Sequence, residues 1–234
     1  MRLLSGKYYH SLALGFLGLA VLSLTLISSA QGQPQETPDS VRFKTLGVLY
    51  RAISGLNTRN VRFKALQDEL ELMHPIEPQG MDSLHFAENL IQITKYLRFL
   101  ETHRSDLTRS VRSLSDSIAI FTKLVTKAEE KKALADFLRS YKDESAQFIR
   151  YSQALSGMLV ELKNTIVFLQ TVPMTRNGME ITFNTDPSAN QKYLDFQMKV
   201  QDERMKVDQE IDKSIALTEK ENKVIQATLL LFNQ

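Results

Sequence analysis

The sequence predicts an all-α protein, an elongated antiparallel up-down-up-down four-helix bundle of coiled-coil type with a small β-hairpin at about 172–184. Three observations predict it. Apolar residues recur in steps of three and four along four long stretches, the period of a helix with one buried face. Those stretches, about 39–73, 82–128, 133–172 and 187–232, are matched in length. The Pro and Gly residues that break helices gather between them, at 74–81 and 172–189. At 1.5 Å per residue each helix would be ~60 Å long, and short connections make neighbours antiparallel.

The first stretch carries Leu46, Leu49, Ile53, Leu56, Phe63, Leu66 and Leu70 on one face, with Gly55 and Asn57 weakening its middle enough for a kink. Pro75, Pro78 and Gly80 end it. Asp82 can cap the second helix, and no Pro or Gly follows until Gly157. Two apolar registers fill that span. Leu100, Leu107, Val111, Leu114, Ile118, Phe121, Val125 and Ala128 form one; Tyr141, Phe148, Leu155, Leu159, Leu162, Ile166 and Leu169 form the other. They join poorly across Glu129-Glu130-Lys131-Lys132, where a tight turn is expected; a coiled-coil stutter in one continuous helix is the alternative. Tyr96, Tyr141 and Tyr151 read as core-edge aromatics with wet hydroxyls.

Beyond Pro173, Met179, Ile181 and Phe183 alternate with polar residues, and Asn177-Gly178 suits a two-residue hairpin turn. Asp186 and Pro187 then offer a cap and first position for the last helix, whose stripe is Tyr193, Phe196, Val200, Val207, Ile211, Ile215, Ile225, Leu229 and Phe232. Val41-Arg42-Phe43-Lys44-Thr45-Leu46 is echoed by Val61-Arg62-Phe63-Lys64-Ala65-Leu66, two copies where a solenoid needs three; the echo reads as coincidence of helical patterning.

Ahead of the bundle lies an export pattern. Arg2 and Lys7 precede the uncharged apolar run 11–29, and small residues Ser28 and Ala30 precede Gln31. A basic start, apolar middle and small-residue exit compose a secretory signal, with cleavage expected after Ala30; an uncleaved anchor is the alternative. Either way the remainder is expected outside the cytoplasm, in a periplasm or at a cell surface. Residues 31–38 read as a flexible tether and 39–234 as a single domain. Removing Arg2 and Lys7 leaves 27 basic and 27 acidic residues, so the net charge of +2 belongs to the export segment and gives no argument for nucleic-acid binding.

Several classes of chemistry are excluded by composition. With no Cys there is no disulfide framework, thiolate metal site or thiol nucleophile, and with only 4 His a histidine-rich metal site is not expected. Glu71-Leu72-Met73-His74 has the Glu-x-x-His spacing of di-iron bundles, but it occurs once, and His85-Phe86-Ala87-Glu88 reverses the order. No phosphate loop, nucleophile elbow or His-Glu-x-x-His motif is present. The expectation is therefore a non-enzyme with no metal, no cofactor and no catalytic residues.

Candidate binding residues come from charge. Arg42, Lys44, Arg51, Arg59, Arg62 and Lys64 fall in a stretch, 40–67, without an acid, and could form an anion- or partner-binding face. The preferred alternative pairs Arg59, Arg62 or Lys64 with Asp208, Glu210 or Asp212 of the last helix. Arg98, Arg104, Arg109 and Arg112 read as a solvated face of the second helix, and Arg176, Asn177 and Gly178 as a tip contact. The layout resembles extracytoplasmic sensor bundles of bacterial receptors in architecture only. The expected role is an interaction, scaffold or adaptor module whose partner is another envelope protein, touching a membrane only through the N-terminal segment if uncleaved. The alternative is a small-ligand binder whose pocket is lined by Ser145, Ser152, Ser214, Thr218 and Asn222; a membrane-active toxin is a weaker third reading, since the 173–189 loop is mostly polar.

Overall fold

The computed structural model describes residues 37–71, 83–177, 180–183 and 187–233. Four helices pack against each other, consistent with an up-down bundle: α1 (Pro38–Glu71), α2 (Ser83–Leu124), α3 (Ala128–Thr171) and α4 (Pro187–Phe232). Strands β1 (Thr175–Asn177) and β2 (Glu180–Thr182) pair antiparallel between α3 and α4. The export segment, the break expected at 74–81, Asp82 and Asp186 lie outside the described residues.

Each boundary has a local cause. Thr37 caps α1, its Oγ1 accepting from the Ser40 amide at 3.3 Å, and Pro38 takes the first position, where a missing N–H costs nothing. α1 thus starts at Pro38. α1 runs through Gly55 and Asn57 without interruption. The expected turn at 129–132 lies instead at 125–127. Glu129 and Glu130 open α3, where the positive end of the helix dipole favours acids, and Lys127 contributes the first carbonyl of the ladder to the Lys131 amide. In the hairpin, Asn177 already pairs with Glu180, so it belongs to β1 rather than to the turn.

The chain divides into two compact units, each drawing on all four helices. The first takes Arg59–Thr108 and Ser145–Ser214, with the hairpin. Its core holds Ile93, Tyr96 and Leu100 of α2, Leu155, Leu159 and Ile166 of α3, and Val200 and Val207 of α4. Phe183, 4% exposed, seats the hairpin against Phe168 and Tyr193, with ring centroids at 5.4 and 5.8 Å; Phe168 also meets Phe196 at 5.4 Å. This aromatic cluster gives the short ribbon the burial that two strands lack by themselves.

The second unit takes α1 through Thr58, with Arg109–Glu144 and α4 from Ile215. Leu49, Ile53, Leu114, Ile118, Leu134, Phe137, Tyr141, Ile225 and Leu229 fill it. Buried threonines are satisfied within their own helices: Thr45 donates to Val41 O at 2.8 Å and Thr228 to Val224 O at 2.9 Å. Tyr96 and Tyr141 are fully buried and Tyr151 nearly so; they are core residues, not core-edge ones. The echo is not a structural repeat: twenty residues are about 5.6 turns, so Val41 points inward and Val61 outward.

Candidate functional site

α4 carries two apolar faces in the first unit. Ala189, Val200, Val207 and Ile211 line the core. Leu194, Met198 and Met205, spaced four and seven apart, form a second stripe on the outer side and are 51%, 57% and 47% exposed. A helix of a single-purpose bundle wets its second face with polar residues, so this one is apolar beyond the needs of folding. Elsewhere among the described residues, large exposed apolar side chains at steps of four or seven come in twos, Phe43 with Tyr50, Ile120 with Leu124 and Val160 with Val167, and Val61 falls on the Phe43 and Tyr50 face of α1 eleven residues further on. The α4 stripe is bordered by Asp195, Lys199, Asp202 and Lys206, alternating in sign at steps of four and three.

The helix that presents this stripe is held firmly. Gln147 of α3 donates through Nε2 to Glu210 O at 3.0 Å and Glu210 Oε2 at 2.9 Å. Arg150 donates to Gln147 Oε1 at 2.6 Å and stands 3.7 Å from the Glu210 carboxylate. Lys213, one turn along, donates to Glu210 Oε1 and is the largest cause holding that carboxyl below the usual carboxylate range. Glu210 therefore engages α3. Of the α1 cations that charge matching offered to Asp208, Glu210 or Asp212, the Arg59 and Lys64 side chains lie outside the described residues. On α2, Arg104 is also no solvated residue; its Nη1 donates to Ser152 O at 3.1 Å and Ser156 Oγ at 2.9 Å, tying α2 to α3.

The six basic residues of 40–67 all lie on α1. Arg42, Lys44 and Arg51 belong to the second unit; Arg59, Arg62 and Lys64 belong to the first. Arg42 is taken by Glu130, with Nε at 2.8 Å and Nη2 at 2.5 Å from Oε1; the Glu130 side chain is only 4% exposed. Lys44, Arg51 and Arg62 are exposed, and the Arg59 and Lys64 side chains lie outside the description. At the tip, the backbones of Arg176 and Asn177 are in β1, while Gly178 lies outside the described residues.

Of the polar residues proposed for a pocket, Ser152 donates to Ile149 O and Ser214 to Glu210 O, both at short range within their own helices. Ser145 is 2% exposed with no hydrogen-bond partner for its hydroxyl. Among the described residues no group of three or more His, Asp or Glu could hold a metal ion, and no described helix is long and apolar enough to cross a membrane. Glu71 ends α1, His74 is outside the description, and His85 and Glu88 lie in the first turns of α2. Compared with protein-family models, with curated proteins and with solved structures, the chain matches none of them.

The α4 stripe was missed by sequence reasoning, although its signal was present. Leu194, Met198 and Met205 fall off the main stripe, and a second series at helical spacing on one helix marks a second apolar face.

Proposed function

We propose that this chain is an exported, non-enzymatic interaction module that binds another envelope protein through the outer face of α4. The observation that carries the reading is the stripe of Leu194, Met198 and Met205, about half exposed in each case. Completing the burial of such a side chain contributes about 1 kcal/mol, half the full transfer value for Leu or Met. Three in a row, with flexible Met among them, suit an amphipathic partner helix laid along α4. The alternating charges at the stripe's edge would set that partner's register more than its affinity.

Export rests on Arg2, Lys7, the apolar run and the small residues before Gln31. It places the module in a periplasm or at a cell surface, and the mature chain is expected to begin at Gln31. The small-ligand reading has less support, because Ser152 and Ser214 turn their hydroxyls onto their own helices.

The test is comparative capture from the native envelope with wild type, Met198→Glu and Arg62→Glu. Each variant is first shown by circular dichroism to keep the wild-type helix content. The reading expects one envelope protein to be retained by wild type and by Arg62→Glu and lost from Met198→Glu. Equal retention by all three, or loss only from Arg62→Glu, would move the binding face away from α4.

A further inference from the structure

In the second unit, α3 and α4 each bury a carboxylate oxygen that has no hydrogen-bond partner. Glu221 of α4 is 2% exposed, and its Oε2 has no hydrogen-bond partner. Glu144 of α3 is partly exposed, yet its Oε2 is buried and equally without a partner. The antiparallel register brings them together: Thr228 Oγ1 stands 3.4 Å from Ala133 O across the same seam, so stepping along both helices puts Glu144 within about one turn of Glu221. Asn57 of α1 adds a third buried acceptor without a donor. The offset set by Arg42 and Glu130 places it at the level of Glu144.

Among the described residues of the unit, no cation is buried with them. On α1, Arg42 is engaged by Glu130, and Asp39, Lys44 and Arg51 are exposed. On α2, Arg109, Arg112, Asp116 and Lys123 are exposed. So are Lys142 and Asp143 beside Glu144, and Lys220 and Lys223 beside Glu221. Two carboxylates cannot both ionise in such surroundings without a large penalty, because burial and mutual repulsion act in the same direction.

We propose that Glu144 and Glu221 form a one-proton latch between α3 and α4, closed while they hold a proton between them and loosened when that proton passes to solvent. Closed, the protonated carboxyl supplies the donor that the orphan oxygens lack. Open, Glu144, the more exposed of the two, swings toward water and leaves the α3–α4 seam underpacked at that level. Burial first, and then the Glu221 charge, push the Glu144 carboxyl up to about 7, which sets the operating range near neutrality. Because this value lies above that of an unfolded glutamate, the stabilisation is complete below about pH 4.5 and is lost as the pH rises through 7. The latch is independent of the α4 binding face.

The experiment is a pH titration of the full chain carrying carbon-13 at the glutamate side-chain carboxyls, with Glu144→Gln and Glu221→Gln for assignment. One carboxyl of the pair is expected to titrate near neutrality, and Glu221→Gln should move the Glu144 midpoint down. Between pH 4.5 and 8 the folded-to-unfolded ratio of wild type should fall relative to Glu144→Gln by on the order of 100-fold, ten per unit of displaced titration. Should Glu144→Gln fail to fold, the wild-type titration decides. Both carboxyls titrating to completion below pH 5.5 would overturn the latch, as would a wild-type to Glu144→Gln stability ratio that stays constant across the range.

Discussion

Gly157 of α3 and Glu203 of α4 compete for one space: a Cβ built on Gly157 would stand 2.5 Å from Glu203 Oε2 and 3.2 Å from its Cδ. The missing side chain lets the carboxylate lie against the α3 backbone while Lys206 donates to its other oxygen at 2.6 Å. A glycine inside a helix costs about 1 kcal/mol relative to alanine, so this contact is set against a real loss of helix propensity.

Substituting Gly157→Ala displaces the far end of a flexible side chain, which can turn toward solvent. The change is expected within about 0.5 kcal/mol of neutral in wild type, the propensity gain offsetting the displaced carboxylate. In a Glu203→Ala background it should give the full gain of about 1 kcal/mol. Urea unfolding of the four proteins measures the coupling; equal gains in both backgrounds would show that the carboxylate does not occupy the space over Gly157.

Arg42 and Glu130 form a largely buried pair, so breaking it and replacing it are different experiments. Arg42→Met leaves the Glu130 carboxylate buried without its cation and should cost about 3 kcal/mol. The double change Arg42→Met with Glu130→Leu removes the stranded charge and should recover most of that loss. Denaturant midpoints check both, and a double variant no more stable than Arg42→Met would contradict the assignment.

The four helices and their apolar stripes were legible because periodicity reports burial directly. Leu49, Ile53, Leu114, Ile118, Val207 and Leu229 are core residues in both readings. The turn before α3 was misplaced by a few residues because Glu129-Glu130 looks like loop when read by charge alone. Its burial depends on Arg42, a partner 88 residues away that no local window contains. The same limit hid Glu144 and Glu221: each looks like an ordinary surface acid until the seam between α3 and α4 is known. The partners of Glu210 were hidden for a related reason: Gln147, which donates to both its backbone carbonyl and its carboxylate, and Arg150 lie on α3, 63 and 60 residues away.

Glu210 also sets a pH dependence opposite in sign to that of the latch. Its carboxyl is held low, mainly by Lys213, so the stabilisation is present above the ordinary glutamate range and is lost as the pH falls through its own lower one. Lys213→Met should reduce stability at neutral pH by at most about 0.5 kcal/mol, because the Lys213 side chain is 58% exposed. The deficit should vanish once the carboxyl is protonated in both proteins. Thermal unfolding at pH 7 and pH 3 compares them; a deficit that persists in acid would assign the loss to packing instead.

The outer face of α4 is tested most directly by photocrosslinking in the native host. A benzophenone amino acid replaces Met198 in one strain and Asn164, on the exposed side of α3, in another. The account predicts one discrete adduct between the Met198 site and an exported protein, abolished by the further change Leu194→Glu, and none from Asn164. Adducts of equal yield from both positions, or none from Met198 in cells that export the chain, would contradict it.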